Sequence, residues 1–275
     1  MSAARAQKES TTRRYDANYG NFQRELYAEI RKEAYGEDIG QNSWLTASEH
    51  DEFLQWMDLS PETRLLDVAC GAGGPALRTA AKCGCLVTGI DLHEQAIAAA
   101  NSLAAERNLE QRAQFRMANA GEPLPFPDAS FDAITCIDAI NHIPDRRNTL
   151  LEWARLLKAG GELLFTDPTT MTGPLTADEI KIRSMSGFYL FVPEGFDERF
   201  LGECGFRLLK RENVTRNMAE LAERRWKARE ARKSALEEIE GKQGFAEQQE
   251  FLAIAAKIAN ENRLSRFAFL AEKNS

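Results

Sequence analysis

Residues 65–76 read Leu65-Leu66-Asp67-Val68-Ala69-Cys70-Gly71-Ala72-Gly73-Gly74-Pro75-Ala76: a short apolar strand closed by an acid, then a glycine turn, then a proline suited to a helix start. Glycine at 71 and 73 removes side chains where a backbone must turn tightly and approach a ligand. The helix start that follows offers unpaired N–H groups. A nucleotide-like ligand is expected at this turn.

The spacing Gly71-x-Gly73-x-x-Ala76, with Asp91 twenty residues after Gly71, also fits a dinucleotide fingerprint. Asp67 discriminates between the candidates. A pyrophosphate would meet a like charge there, whereas an α-ammonium would gain a charge-assisted hydrogen bond. The acid therefore favours S-adenosylmethionine over NAD.

Further along come Leu86-Val-Thr-Gly-Ile-Asp91, Phe115-Arg-Met-Ala-Asn-Ala120 and Leu124-Pro-Phe-Pro-Asp-Ala-Ser-Phe-Asp132, the last leading into an apolar strand at Ala133–Ile137. With these motifs in order, the chain from about Leu65 to Asp167 resembles the class I, Rossmann-like S-adenosylmethionine-dependent methyltransferases. The resemblance implies that Asp67, Gly71 and Gly73, with Ala69 in the same turn, surround the methionine end of the cofactor. It implies that Asp91 binds both ribose hydroxyls, a role within a carboxylate's accepting capacity. Leu92 would cover one adenine face. Asn119 stands where the family often has an aspartate beside the adenine amino group, and its amide oxygen can accept the same bond. Ala120 and Ile137 complete the expected cofactor contacts. Asp91 can also be read as a helix cap ahead of Glu94–Arg107.

The alternation of strands and helices marks a doubly wound sheet. Strands are expected near Arg64–Ala69, Leu86–Asp91, Ala113–Ala118, Ala133–Ile137, Gly161–Asp167, Arg207–Val214 and Arg266–Glu272, and helices at Pro75–Lys82, Glu94–Asn108, Arg146–Leu157 and Asp197–Cys204. The fold class is α/β: a Rossmann-like, seven-stranded, mostly parallel sheet with helical cap elements, its last strand antiparallel by the resemblance. The expected organisation is an N-terminal helical cap over 1–60, a cofactor-binding core over 61–215, a helical insertion or lid over 216–263, and the last core strand over 264–275.

Two segments outside the core are expected to carry acceptor identity. Tyr15, Tyr19, Phe22 and Leu26 recur at helix-like spacing, a stripe that serves either core packing or substrate contact. The insertion reads as helices at Met218–Ile239 and Phe245–Asn262 joined at Gly241–Gly244, either a solvated face, a lid or a dimer arm. Between Tyr35 and Trp44 the chain is similar in placement to the segment that sarcosine/dimethylglycine, tocopherol and cyclopropane-forming methyltransferases close over the methionine part. On that similarity Gln41 or Ser43 would bind the cofactor carboxylate and Trp44 would shield the sulfonium. A capping turn with a buried tryptophan is the other reading.

Methyl transfer needs a base only when the nucleophile arrives protonated. His142, in Asp138-Ala-Ile-Asn-His142 after the fourth strand, is the base candidate, or else a pocket-lining residue. Asp138 either binds an amine substrate or caps the turn, and Tyr189 and Phe191 are candidate walls of an apolar substrate pocket.

A net charge of -7 over 275 residues argues against a general nucleic-acid or anionic-membrane surface. No run of about twenty apolar residues occurs, so a soluble, cytoplasmic protein is expected. Cysteines at 70, 83, 85, 136 and 204 lack zinc-site spacing, and no metal is expected. The sequence thus points to methyl transfer from S-adenosylmethionine to a small molecule, with a homodimer plausible. A nicotinamide-dependent oxidoreductase and a catalytically silent cofactor-binding partner protein are the alternatives.

Overall fold

A computed structural model describes residues 19–22, 24–185 and 187–274. Leu65, Leu66 and Val68 of β1 (Arg64–Val68) are all buried, as a strand covered on both faces requires. It pairs in parallel with β2 (Leu86–Asp91) and β4 (Phe131–Cys136). The full order is β3-β2-β1-β4-β5-β8-β7, where β3 is Ala113–Met117, β5 Leu157–Met171, β7 Phe206–Asn213 and β8 Leu264–Lys273. β8 runs against both neighbours, as expected. An eighth strand, β6 (Val192–Pro193), pairs in parallel with the far end of β5. β5 extends well past the expected Gly161–Asp167, and Pro168, which has no N–H to give, falls at the irregularity between Asp167 and Thr170 in its pairing with β8.

Helices cover both faces. α2 (Ala47–Trp56), α3 (Gly74–Cys83) and α4 (Glu94–Glu106) contribute Phe53, Leu77 and Ala100 to one apolar cluster. α5 (Arg146–Leu156) and α7 (Phe196–Glu203) place Trp153 and Leu201 in the other. Strand order reverses between β1 and β4, and there the strand ends open the crevice where such sheets bind ligands.

Between β7 and β8 lie α8 (Thr215–Glu230) and α9 (Lys233–Asn260). Two helices were expected here, with the break near Gly241. The backbone does leave the helix at Gly241 (φ 75°, ψ 157°), and the chain makes a further turn at Ala231-Arg232 inside the expected first helix. Side-chain contacts hold this turn. Arg229 pairs with Glu240 at 2.6 Å, and Gln249 Nε2 donates to the Trp226 carbonyl at 3.1 Å.

α1 (Glu25–Tyr35) packs on this hairpin, so Ile30, Ala34 and Tyr35 share a third apolar cluster with Met218, Leu221 and Phe251. The expected stripe does not lie on one helix face, because the chain turns around Phe22. Phe22 is buried beneath Arg31, Leu26 joins the third cluster, and Tyr19 reaches the glycine turn. Tyr15 lies outside the described residues. Among those residues no helix is long and apolar enough to cross a membrane.

Candidate active site

β1 ends at Val68, and the backbone enters the left-handed region at Ala69 (φ 57°), Gly71 (φ 55°) and Gly73 (φ 78°), which caps α3. A methyl group on Gly74 would lie 2.1 Å from the Ile39 carbonyl oxygen, so the 37–44 segment rests directly on this turn. A methyl on Gly71 would lie 2.9 Å from the Tyr19 hydroxyl. Burial and the nearby Asp91 charge push that hydroxyl up from its usual range, and Asn42 hydrogen-bonds it.

Asp67 and Asp91 stand at adjacent strand ends. Asp67 Oδ1 accepts from Thr135 Oγ1 at 2.8 Å, and burial pushes the carboxyl up to about 7. Asp91 accepts the Gly71 N–H on Oδ2 and the His93 N–H on Oδ1, both at 2.9 Å. The cap of α4 is His93, so Asp91 braces the turn rather than capping the helix. Burial raises its carboxyl as well. A carboxylate has about four accepting positions in all, so Asp91 keeps accepting capacity for a ligand hydroxyl.

Leu92 is 47% exposed at the end of β2, and Met117, paired in register with Asp91, is 54% exposed. Sequence reading singled out Leu92 and passed over Met117. Asn119 donates to Glu122 at 2.8 Å and accepts from the Gly121 N–H at 3.0 Å, while Ala120 packs against the core. Ile137 lines a narrow cleft with Asp67, Thr135, Pro75 and His50. Cys70 and Cys136 are buried, and burial pushes both thiols up, as packing residues require.

Gln41 and Ser43 are engaged within their own loop. Gln41 accepts from the Ile39 N–H at 2.8 Å and donates to the Glu37 carbonyl at 3.0 Å, and Ser43 Oγ accepts from the Leu45 N–H at 3.2 Å. Trp44 is buried and stacks on Phe251 with ring centroids 6.2 Å apart. These contacts are those of a braced turn around a buried tryptophan.

Asp138 (φ 53°) is engaged within the fold. Its Oδ1 accepts from Arg266 Nε at 2.6 Å and Thr166 Oγ1 at 2.7 Å, and its Oδ2 accepts from the Trp44 N–H at 2.8 Å. Arg266 also reaches Glu49 at 2.6 Å. Sequence reading missed this cluster, although an arginine inside the apolar run of β8 was the signal for it.

His142 sits in a short 3₁₀ turn, with Nδ1 3.0 Å from the Phe188 carbonyl. A carbonyl only accepts, so Nδ1 carries the proton and the ring lone pair lies on Nε2. Burial pushes the imidazole down to about 4, leaving it neutral at physiological pH. Tyr189 packs edge-on against His142 at 4.5 Å and stacks with Phe191 at 6.2 Å. The structure thus joins Asp67, Asp91, the glycine turn and Tyr19 in one group, and His142, Tyr189 and Phe191 in a second.

This sheet order, with acids at the ends of β1 and β2 beside the glycine turn, is the arrangement expected of a class I, Rossmann-like S-adenosylmethionine-dependent methyltransferase core. Residues 66–165 match the family model described as a methyltransferase domain. The 27-O-demethylrifamycin SV methyltransferase of Amycolatopsis mediterranei is 32% identical over 172 residues, 58% of this chain and 63% of that protein, so the chain spans less than two thirds of its length. Among solved structures, a cyclopropane synthase of Mycobacterium tuberculosis superposes with TM-score 0.82 at 20% identity, over 95% of this chain and 98% of that one. A putative sarcosine dimethylglycine methyltransferase of Galdieria sulphuraria does so with TM-score 0.80 at 20% identity, over 94% and 98%. At such identities these two speak for the fold.

Proposed function

We propose that this protein moves a methyl group from S-adenosylmethionine to an oxygen, nitrogen or carbon atom of a small-molecule acceptor. The observation that carries the reading is the pair of buried carboxylates, Asp67 and Asp91, flanking the glycine turn. Asp67 suits an α-ammonium, which would favour its ionised form. Asp91, braced by two N–H groups, suits ribose hydroxyls, and Leu92 and Met117 offer apolar cover for a base. The bound donor supplies a sulfonium-activated methyl carbon open to in-line attack. His142 Nε2 takes the proton that an O–H or N–H acceptor loses as its new bond to carbon forms, leaving S-adenosylhomocysteine. Tyr189 and Phe191 wall the acceptor side, and the cap of α1, α8 and α9 excludes water from it.

A nicotinamide cofactor is disfavoured because its pyrophosphate would approach Asp67. A cofactor-binding partner without turnover would bind the donor normally and methylate nothing. The -7 net charge supports a small-molecule acceptor over a nucleic acid. The deciding experiment is calorimetric titration with S-adenosylhomocysteine, with NAD as control and Asp67→Ala and Asp91→Ala alongside. Binding that weakens in both variants supports the reading, and binding of NAD instead overturns it.

A further inference from the structure

Several buried charges of the fold are committed to one another: Asp138 and Glu49 share Arg266, Asp167 and Asp197 share Arg146, and Glu179 of α6 (Ala177–Arg183) meets Arg263. His50 of α2 is only half engaged. It is 5% exposed, and its Nε2 lies 3.2 Å from Thr79 Oγ1. The Thr79 hydroxyl has one proton, and it donates that proton to the Pro75 carbonyl at 3.0 Å. Thr79 Oγ1 therefore accepts from His50, so Nε2 carries the ring proton and Nδ1 the lone pair. Nδ1 is buried and has no hydrogen-bond partner among the described residues. Buried acceptors are ordinarily satisfied, so this one calls for a donor. The narrow cleft that His50 lines is lined also by Asp67, Thr79 and Thr135, between apolar walls that include Phe53 and Leu164. Its space of about 20 Å³ suits one water. Asp67 accepts from Thr135 on Oδ1, which leaves Oδ2 for a second donor.

We propose that one water in this cleft donates one hydrogen to His50 Nδ1 and the other to Asp67, which makes His50 a positioning residue for the acid that receives the cofactor's ammonium. The assignment rests on the methyltransferase reading. A water held in this direction favours the ionised carboxylate, the form that pairs with an ammonium. Asp91 opposes that ionisation by its charge, and the water offsets it. The Cys70 and Cys136 thiols also face Asp67, and burial keeps both protonated. Asp51, Arg78 and Lys82 stand around His50, and burial pushes its imidazole down to about 4. The ring is therefore neutral near pH 7, and its Nδ1 lone pair is present while Asp67 titrates.

The test titrates the full chain with S-adenosylhomocysteine from about pH 5 to 8.5, as wild type, His50→Gln and His50→Asn. A glutamine amide can keep the donation to Thr79 but puts no acceptor at Nδ1, whereas an asparagine oxygen stands where Nδ1 does. His50→Gln should move the onset of the acid loss of affinity up by about half to one pH unit. Binding near pH 7 then weakens by about two- to tenfold, and binding at the alkaline end stays within about twofold of wild type. His50→Asn should keep the wild-type onset to within about 0.3 unit. A uniform weakening at every pH, an unmoved onset in His50→Gln, or equal shifts in both variants overturns the proposal. Should His50→Gln fail to fold, imidazole nitrogen NMR of the wild type decides. Nδ1 should be unprotonated and hydrogen-bonded, with a step at the Asp67 midpoint near 7 that Asp67→Asn abolishes. A protonated Nδ1, or the lack of that step, overturns the bridge. Failure of the wild type to bind S-adenosylhomocysteine sinks the methyltransferase reading; binding without the His50 effects sinks only the water bridge.

Discussion

Arg266 on β8 and Asp138 after β4 are joined at 2.6 Å, and neither side chain is more than 3% exposed. The same carboxylate fixes the Trp44 backbone. The ion pair therefore ties the middle of the sheet to the loop that roofs the crevice. Glu49 still pairs with Arg266 when Asp138 loses its charge, so the cost is that of the charge-assisted hydrogen bonds at Asp138, about 1–3 kcal/mol. Asp138→Asn tolerates the same left-handed backbone, so its effect isolates the charge. Urea unfolding should show a loss of about 1–3 kcal/mol, and an unchanged midpoint would remove the pair from this role.

Cofactor affinity should depend on pH through Asp67. Its folded value of about 7 lies above the ordinary carboxylate range. Ionising it therefore weakens the free fold as pH rises toward and through 7, and a bound ammonium offsets that loss. Below pH 7 the ammonium must displace a proton. The apparent Kd for S-adenosylhomocysteine should rise by up to about tenfold per unit as pH falls from 7 to 5. Asp67→Asn should bind more weakly and with a flat profile; an equally steep profile in that variant would assign the proton elsewhere.

His142→Ala should lower turnover by about 10²–10⁴-fold and leave S-adenosylhomocysteine affinity unchanged. Since burial pushes the imidazole down to about 4, kcat should show no histidine limb between pH 5 and 8. A limb near 6.5 that disappears in the variant would contradict the burial, and unchanged turnover would take His142 out of the mechanism.

Gly74→Ala should separate the glycine turn from the loop above it. The added methyl would sit 2.1 Å from the Ile39 oxygen, a backbone atom that yields only if residues 37–44 move. Overpacking of this kind costs about 1–3 kcal/mol. Thermal unfolding should report that loss, together with weaker S-adenosylhomocysteine binding. An unchanged melting temperature would mean that the loop is free to shift.

The core was legible because strand alternation and glycine spacing are local signals. β1, β2 and the helix after the glycine turn fall within a residue of their expected bounds. Asp67 and Asp91 were legible because an acid closing a strand beside such a turn has few other uses. The acceptor side was not, because its side chains come from separated segments: Trp44 meets Phe251, and His142 meets Tyr189, only through packing. Asp138 carried the local signature of a free acid, and its partner lies in the last strand. The break at Gly241 was legible because glycine is a strong local signal, whereas the second turn at Ala231-Arg232 has none and is set through Arg229 and Gln249.

The strand order also sets a timetable for synthesis. β7 is made before the long helical hairpin, yet it joins the sheet only through β8, which the ribosome delivers afterward. Until residue 273 has emerged, the β5 edge stands open and Asp138 awaits its arginine. A nascent chain in that interval exposes an unpaired apolar edge of the kind that chaperones shield and that recruits other chains. The step that closes the sheet is then the same one that supplies Asp138 with its arginine beneath the roof of the crevice.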